Sequence, residues 1–258
     1  VAARVEYVYC VVPSGTPPAR LPAGIDDVPV DTVTVGPLTA LVSALDADTY
    51  GADRVSERTA DQEWLVPRAR AHHTVITGAS DRGPVVPLPM WVMFSDRDAV
   101  ATMLATRAPE LEAALASVRG AREYTVRIAL DVAQLEPTVS EFDPALAELE
   151  RQAATASPGQ AYLLGRKLAA ARKDAVQSVA QRVVREIHDA LAREARATAE
   201  IRPGEERGIV RWDAYLVEDA RYDAFRAALT ELVGRYEPAG FRFEFTGPWP
   251  PFHFVRGA

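Results

Sequence analysis

Several short stretches of this 258-residue chain carry side chains whose types and spacing invite chemistry. Asp46-Ala-Asp48-Thr-Tyr50-Gly51, with Glu57 in the twelfth place, has oxygen ligands at positions one, three and twelve and a glycine at six, the outline of a calcium loop. Tyr50 stands at position five, charged Asp53 at position eight, and the preceding residues read as a strand, so a solvated acidic loop is the better reading. His72-His73 invites a metal, yet neighbouring side chains on a helix diverge by about 100°, whereas paired ligands need i and i+4 spacing. His72 is expected to be packed and His73 more exposed; His188 and His253 have no spacing that helps. Gly78-Ala-Ser-Asp-Arg-Gly83 has the glycines of a phosphate loop, but Pro84 occupies the lysine position and the order is helix to strand. Cys10 lies mid-strand without a histidine partner, no G-x-S-x-G elbow exists, and Glu205-Glu206 sits in a loop. The residues therefore assign no catalytic group, no cofactor and no metal.

Composition narrows the classes. Hydrophobic residues make up 48% and charged ones 25%, with no 18-residue uncharged apolar run, so a globular chain without a membrane span is expected. Lys and Arg number 29 against 36 Asp and Glu, and the net charge of −7 repels phosphate backbones and anionic lipid. Nucleic acid and membrane are not expected partners. One cysteine and an opening that reads directly as strand point to the cytoplasm.

The elements that must position these side chains follow from periodicity. Val5, Tyr7, Tyr9 and Val11 alternate with Glu6, Val8, Cys10 and Val12 as a mostly buried strand. Residues 13–27 read as a loop, 28–35 and 38–45 as strands. Leu65, Ala69, His72 and Ile76 share one face of a helix over 61–77 that contains Pro67. Residues 85–94 read as a strand kept at an edge by Pro87 and Pro89. Ser95 is the expected cap of the next helix, and Pro109 starts another with Leu111, Leu115 and Val118 inward. A second unit opens with a half-solvated strand at 124–132, followed by a long helix over 161–199. Val176, Val179, Val183, Ile187 and Leu191 point inward there, with a basic outer face of Arg166, Lys167, Arg172, Lys173, Arg182, Arg185, Arg193 and Arg196. A strand at 209–217, a helix carrying Tyr222, Phe225, Leu229, Leu232 and Tyr236, and a strand with Phe241, Phe243 and Phe245 on one face complete it. The reading is α+β: an N-terminal mixed unit over 1–120 and a ferredoxin-like unit with long helices over 121–258. Residues 246–255, aromatic and stiffened by three prolines, are expected to be polyproline-like and clasped on the chain itself.

That ending, Gly247-Pro-Trp-Pro-Pro-Phe252, resembles the G-P-W-P-P-Y motif of the gas vesicle protein GvpL/GvpF family. Other segments resemble the family in the same order: Tyr7-Val-Tyr9, Leu41-Val-Ser43, His72, Val86-Pro87-Leu88, Glu123-Tyr-Thr-Val-Arg127, Gly159-Gln-Ala-Tyr162-Leu163 and Ala214-Tyr-Leu-Val217. The chain departs where His73 replaces a glutamate, Pro89-Met90-Trp91-Val92 replaces Arg-Phe-Gly-Thr, and Phe252 replaces a tyrosine. The resemblance implies a gas vesicle accessory or minor structural protein with no enzymatic activity and no cofactor. Its implied partners are the hydrophobic shell protein GvpA and other accessory proteins, and its implied location is the gas vesicle.

An aggregating shell subunit needs its apolar surface covered. Two candidate partner-binding surfaces are expected: the edge carrying Met90, Trp91 and Met93, and the tail carrying Trp249, Phe252 and Phe254. Trp91 would otherwise fill the first core, and the tail would otherwise be a clasp. The alternatives are a scaffold that gathers accessory proteins through the basic helix and, on fold analogy alone, a hydrolase or metal-dependent enzyme.

Overall fold

The computed structural model describes residues 3–15, 21–202 and 208–255. Glu205-Glu206 and part of the 13–27 loop lie outside the described residues. The chain is mixed helix and sheet and forms two compact units, residues 1–123 with 248–258 and residues 124–247. It passes from the first into the second at 123–124 and returns at 247–248, so the aromatic tail clusters with the first unit. The sequence predicts a boundary at 120–121 with the tail in the second unit; the units instead divide at 123–124 and the tail clusters with the first.

In the first unit, β1 (Arg4–Pro13), β2 (Asp31–Val35), β3 (Leu38–Asp46), β4 (Val86–Pro87) and β5 (Met93–Phe94) form one sheet in the order β2-β3-β1-β4, with β5 also on β1. The β1–β3 register slips between Val8 and Cys10. Such a bulge interrupts the alternation of period two, and Cys10 and Val12 join Tyr7 and Tyr9 in the same core. Residues 6–12 are buried throughout. Short helices α1 (Ala47–Tyr50) and α2 (Ala52–Arg58) follow β3, and Asp46 caps the first by accepting the Thr49 N–H at 3.1 Å. That carboxylate of the calcium-like spacing is thus a helix cap. Next comes α3 (Gln62–Ser80), capped by Asp61 and running through Pro67. Its buried residues are Trp64, His72, Val75, Ile76 and Ala79, a stripe that adds Trp64 to the expected face while Leu65 and Ala69 sit at its margin.

The expected 85–94 strand is two pairs of ladder residues separated by a bend. It does lie at the edge, because Pro87 has no N–H to offer a further strand. After it, α4 (Arg97–Thr106) is capped by Asp96, which accepts the Ala99 N–H at 2.8 Å, one residue beyond the expected Ser95. In α5 (Ala108–Val118), Leu111, Leu115 and Val118 are buried as the spacing predicts. Gly24 has a separate constraint: a Cβ there would lie 2.1 Å from the Tyr9 hydroxyl. That hydroxyl accepts the Ile25 N–H and donates to Ser43, fixing the 24–28 turn.

The second unit is built from β6 (Ala121–Leu130), which enters it at Tyr124, α6 (Val132–Leu135), α7 (Pro144–Thr155), α8 (Pro158–Ala192), β7 (Ala197–Glu200), β8 (Ile209–Glu218), α9 (Tyr222–Tyr236) and β9 (Phe241–Trp249), which leaves it after Gly247. The sheet order is β7-β8-β6-β9. Its core joins Tyr124, Val126 and Ile128 of β6 to Val179, Val183, Ile187 and Leu191 of α8 and to the α9 row Phe225, Leu229, Leu232 and Tyr236. The long helix stops at Ala192, seven residues short of the expected end. Residues 197–200 instead pair antiparallel with 213–216 of β8, and α7 was not anticipated. At 35 residues α8 spans about 50 Å. No helix among the described residues is long and apolar enough to cross a membrane.

Candidate functional site

Both sequence-predicted surfaces fall in the first unit, and α3 carries a histidine toward each. On one side, His72 is buried and its Nδ1 lies 2.8 Å from the Tyr7 hydroxyl. The imidazole also bonds the Leu88 backbone carbonyl, which makes its other nitrogen the donor and leaves Nδ1 to accept the tyrosine proton. The Tyr7 oxygen in turn receives the Trp91 N–H at 3.4 Å. Burial pushes the His72 pKa down to about 4 and the Tyr7 hydroxyl upward. Both groups are neutral at pH 7, a fastening between α3, β1 and the 88–91 bend, not an acid–base pair poised for proton transfer.

Trp91 itself is at φ 70°, the left-handed region that a bulky residue avoids. Its indole is stacked on Trp64 at 5.1 Å and 16°, lies 6.3 Å from the Tyr50 ring, and meets Tyr7 edge-on at 5.9 Å. The guanidiniums of Arg58 and Arg68 sit 5.0 and 4.6 Å from the other partner, Trp64. Arg68 donates to the Tyr50 hydroxyl and to Asp26, each at 2.8 Å, while that hydroxyl donates to Asp26. The indole is therefore built into the core, and Met90 and Met93 flank it half-buried.

On the other side, His73 stacks on Phe252 at 5.6 Å and 22° and meets Trp249 edge-on at 5.7 Å. The tail is not an extended polyproline segment, because Phe252 N–H bonds the Pro250 carbonyl and the Phe254 and Val255 N–H groups bond that of Pro251. His253 is pinned twice to Glu123, through its backbone N–H at 2.9 Å and its Nδ1 at 2.6 Å. Glu123 is buried, and its carboxylate raises the His253 pKa above the ordinary range. These contacts form the intramolecular clasp. They leave Phe252 37% exposed and Phe254 half-buried, with Val255 buried behind them.

The Glu123–His253 pair has a sign that can be measured. Its folded pKa lies above the unfolded value of about 6.5, so the stabilisation is complete below that value and is lost as pH rises through the folded one. The free-energy gap between the parent and Glu123→Gln is expected to be widest near pH 5.5 and to shrink by pH 8.5, measured by urea unfolding. A gap constant over that range would contradict the pair.

In the second unit, His188 Nδ1 lies 3.0 Å from the buried Asp213 carboxylate, which Arg211 also contacts at 2.8 Å. Sequence spacing hid this cluster and the Glu123–His253 pair, whose members are 25 and 130 positions apart on different elements. The expected basic helix face is shorter than the spacing implies, because Arg193 and Arg196 lie beyond the end of α8, where Arg196 pairs with Glu218 at 2.9 Å; on the helix itself Arg172 pairs with Glu150 at 2.6 Å and Arg182 donates to the Phe142 carbonyl. Arg166, Lys167, Lys173 and Arg185 remain exposed.

The family model described as gas vesicle synthesis protein GvpL/GvpF matches residues 5–256. Gas vesicle protein L of Streptomyces sp. (strain CB03234) is 30% identical over 265 residues, covering 98% of this chain and 93% of that protein. Gas vesicle protein L2 of Halobacterium salinarum is 29% identical, covering 97% and 91%. The crystal structure of gas vesicle protein GvpF from Anabaena sp. PCC7120 superposes with a TM-score of 0.73 at 17% identity, covering 99% of both chains. That of GvpF from Microcystis aeruginosa gives 0.68 at 18% identity.

Proposed function

This chain belongs to the gas vesicle synthesis protein GvpL/GvpF family, and from that premise we propose that it binds the hydrophobic shell protein GvpA and limits its aggregation while vesicles assemble. Binding is stoichiometric and without turnover, and the chain acts at the gas vesicle as an accessory protein, not as an enzyme. The net charge of −7 keeps such a complex apart from its neighbours.

The observation that carries the reading is the tail. A hydrogen-bonded turn and a buried glutamate hold Phe252 at the surface with its ring already stacked on His73. An aromatic side chain fixed this way loses little conformational freedom on binding, which is how anchor residues concentrate interface energy. Within this reading Phe252 supplies contact at the tail, with Trp249 and Phe254 shaping that surface, Met90 and Met93 supply contact at the separate edge, and Trp91 is a positioning residue that holds the 89–91 bend.

The second unit we read as ferredoxin-like. The support is its strand–helix–strand–strand–helix–strand order and its β7-β8-β6-β9 sheet.

Light scattering of purified GvpA diluted from denaturant tests the function. The parent protein at matched concentration is expected to suppress most of the aggregation, and Phe252→Ala, a change at an exposed position, to restore at least half of it while unfolding at the parent's urea midpoint. Unchanged scattering with the parent removes the shielding role. A Phe252→Ala protein that suppresses fully removes the tail as its surface.

A further inference from the structure

A groove of about 770 Å³ opens along the flank of α8 in the second unit. Val176, Ala180 and Val184, four residues apart, line one wall; Val176 and Val184 are partly buried, packing on one side against the core row that contains Val179, Val183 and Ile187 and facing the groove on the other. Leu130, Val132 and Val210 form the facing wall, and the last two stay 50% and 38% exposed. A straight i+4 row with a small residue at its centre is the shallow furrow into which another helix sets its ridge.

The rim has a charge pattern of its own. Lys173, Gln177, Gln181 and Arg185 repeat the same four-residue spacing one step around the helix. The groove's other arginine, Arg211, is neutralised by Asp213 at 2.8 Å and Glu200 at 3.6 Å. Lys173 and Arg185 are exposed and have no ion-pair partner among the described residues. Twelve residues of helix set them about 18 Å apart. Two uncompensated cations thus stand at the ends of an apolar furrow, on a chain whose net charge is negative.

We propose that this groove docks an acidic amphipathic helix of a protein partner, laid along α8. Its apolar face covers Val176, Ala180 and Val184, and carboxylates three turns apart meet Lys173 and Arg185. Opposed charges select the partner and set its register, while the apolar row supplies affinity. The site lies in a different unit from the tail surface and does not rest on the shell-protein reading.

The test uses the full chain and a fluorescein-labelled 18-residue helical peptide with a leucine and alanine face and two glutamates twelve positions apart. A counterpart carries lysines in their place. Fluorescence anisotropy is expected to show the acidic peptide binding at least tenfold more tightly. The double variant Lys173→Glu/Arg185→Glu, altered only at exposed positions, is expected to reverse that preference. Ala180→Trp, which fills the furrow, is expected to weaken binding at least tenfold. Equal binding of both peptides by the parent, or a preference that survives the double variant, overturns the proposal. A dimer in sedimentation velocity that Ala180→Trp dissolves gives the groove to a second copy of the chain and overturns it as well.

Discussion

Between pH 6.5 and pH 4 the chain is expected to lose about 3 kcal/mol of stability through His72 alone. An exposed histidine in the unfolded chain takes a proton near pH 6.5, whereas burial pushes the folded His72 down to about 4. Across that window the unfolded state binds more protons than the folded one, so stability rises with pH and falls on acidification. The whole difference between about 6.5 and about 4, at roughly 1.4 kcal/mol per pH unit, is about 3.5 kcal/mol; about 3 of it falls inside this window because each titration is only half complete at its own midpoint, and the loss levels off below pH 4. The structural cause is specific. A second proton on the ring would sit on Nδ1, the atom that accepts the Tyr7 hydroxyl at 2.8 Å, and would oppose that hydrogen bond in a buried site. His72→Gln keeps one acceptor and one donor but cannot titrate. Urea unfolding of both proteins from pH 7 to pH 4 is expected to show the parent losing about 3 kcal/mol more than the variant. Parallel curves would mean that His72 is not buried neutral.

The second large effect concerns Trp91. Replacing it by alanine removes the stack on Trp64, the contact with Tyr50 and the edge contact on Tyr7, at an expected cost of about 3 kcal/mol, the lower end for a tryptophan because the residue is half-buried. A further contrast isolates the backbone. At φ 70° alanine keeps the left-handed strain that glycine relieves, so Trp91→Gly is expected to be about 1 kcal/mol more stable than Trp91→Ala. Urea midpoints followed by near-ultraviolet circular dichroism check both. An alanine variant within 0.5 kcal/mol of the parent would mean that the indole is surface decoration, and that the bend is held by Leu88 and Val92, whose backbones bond Tyr9 and Val8.

Residues 85–94 make plain what the sequence could and could not disclose. Prolines at 87 and 89 marked an edge, and the edge is there. Nothing local announced that Trp91 would leave the ladder in a left-handed turn, since its partners Trp64 and Tyr7 are 27 and 84 positions away. Periodicity found β1, β3, α5 and α9 because each buries one face against one core, and that face has a fixed period. It failed at 197–200, where Ala-Thr-Ala-Glu has no strand signature and becomes a strand only by pairing with β8. Cys10 is buried inside β1 as the strand reading expects, and the bulge puts it in the same core as its neighbour Tyr9. Polar pairs such as Glu123–His253 are set by topology, which no spacing along the chain encodes. The proline-rich ending was legible as a family mark, and its expected clasp is present, but its shape is a hydrogen-bonded turn instead of an extended helix.

On the function proposed above, this chain covers another polypeptide's apolar surface one for one. Multi-angle light scattering after size exclusion, on GvpA diluted from denaturant into increasing amounts of the protein, measures that directly. The expected result is a soluble species whose mass is one copy of each chain and whose amount saturates at equimolar ratio. Aggregation suppressed at a small fraction of that ratio, or no mixed species at any ratio, would contradict it.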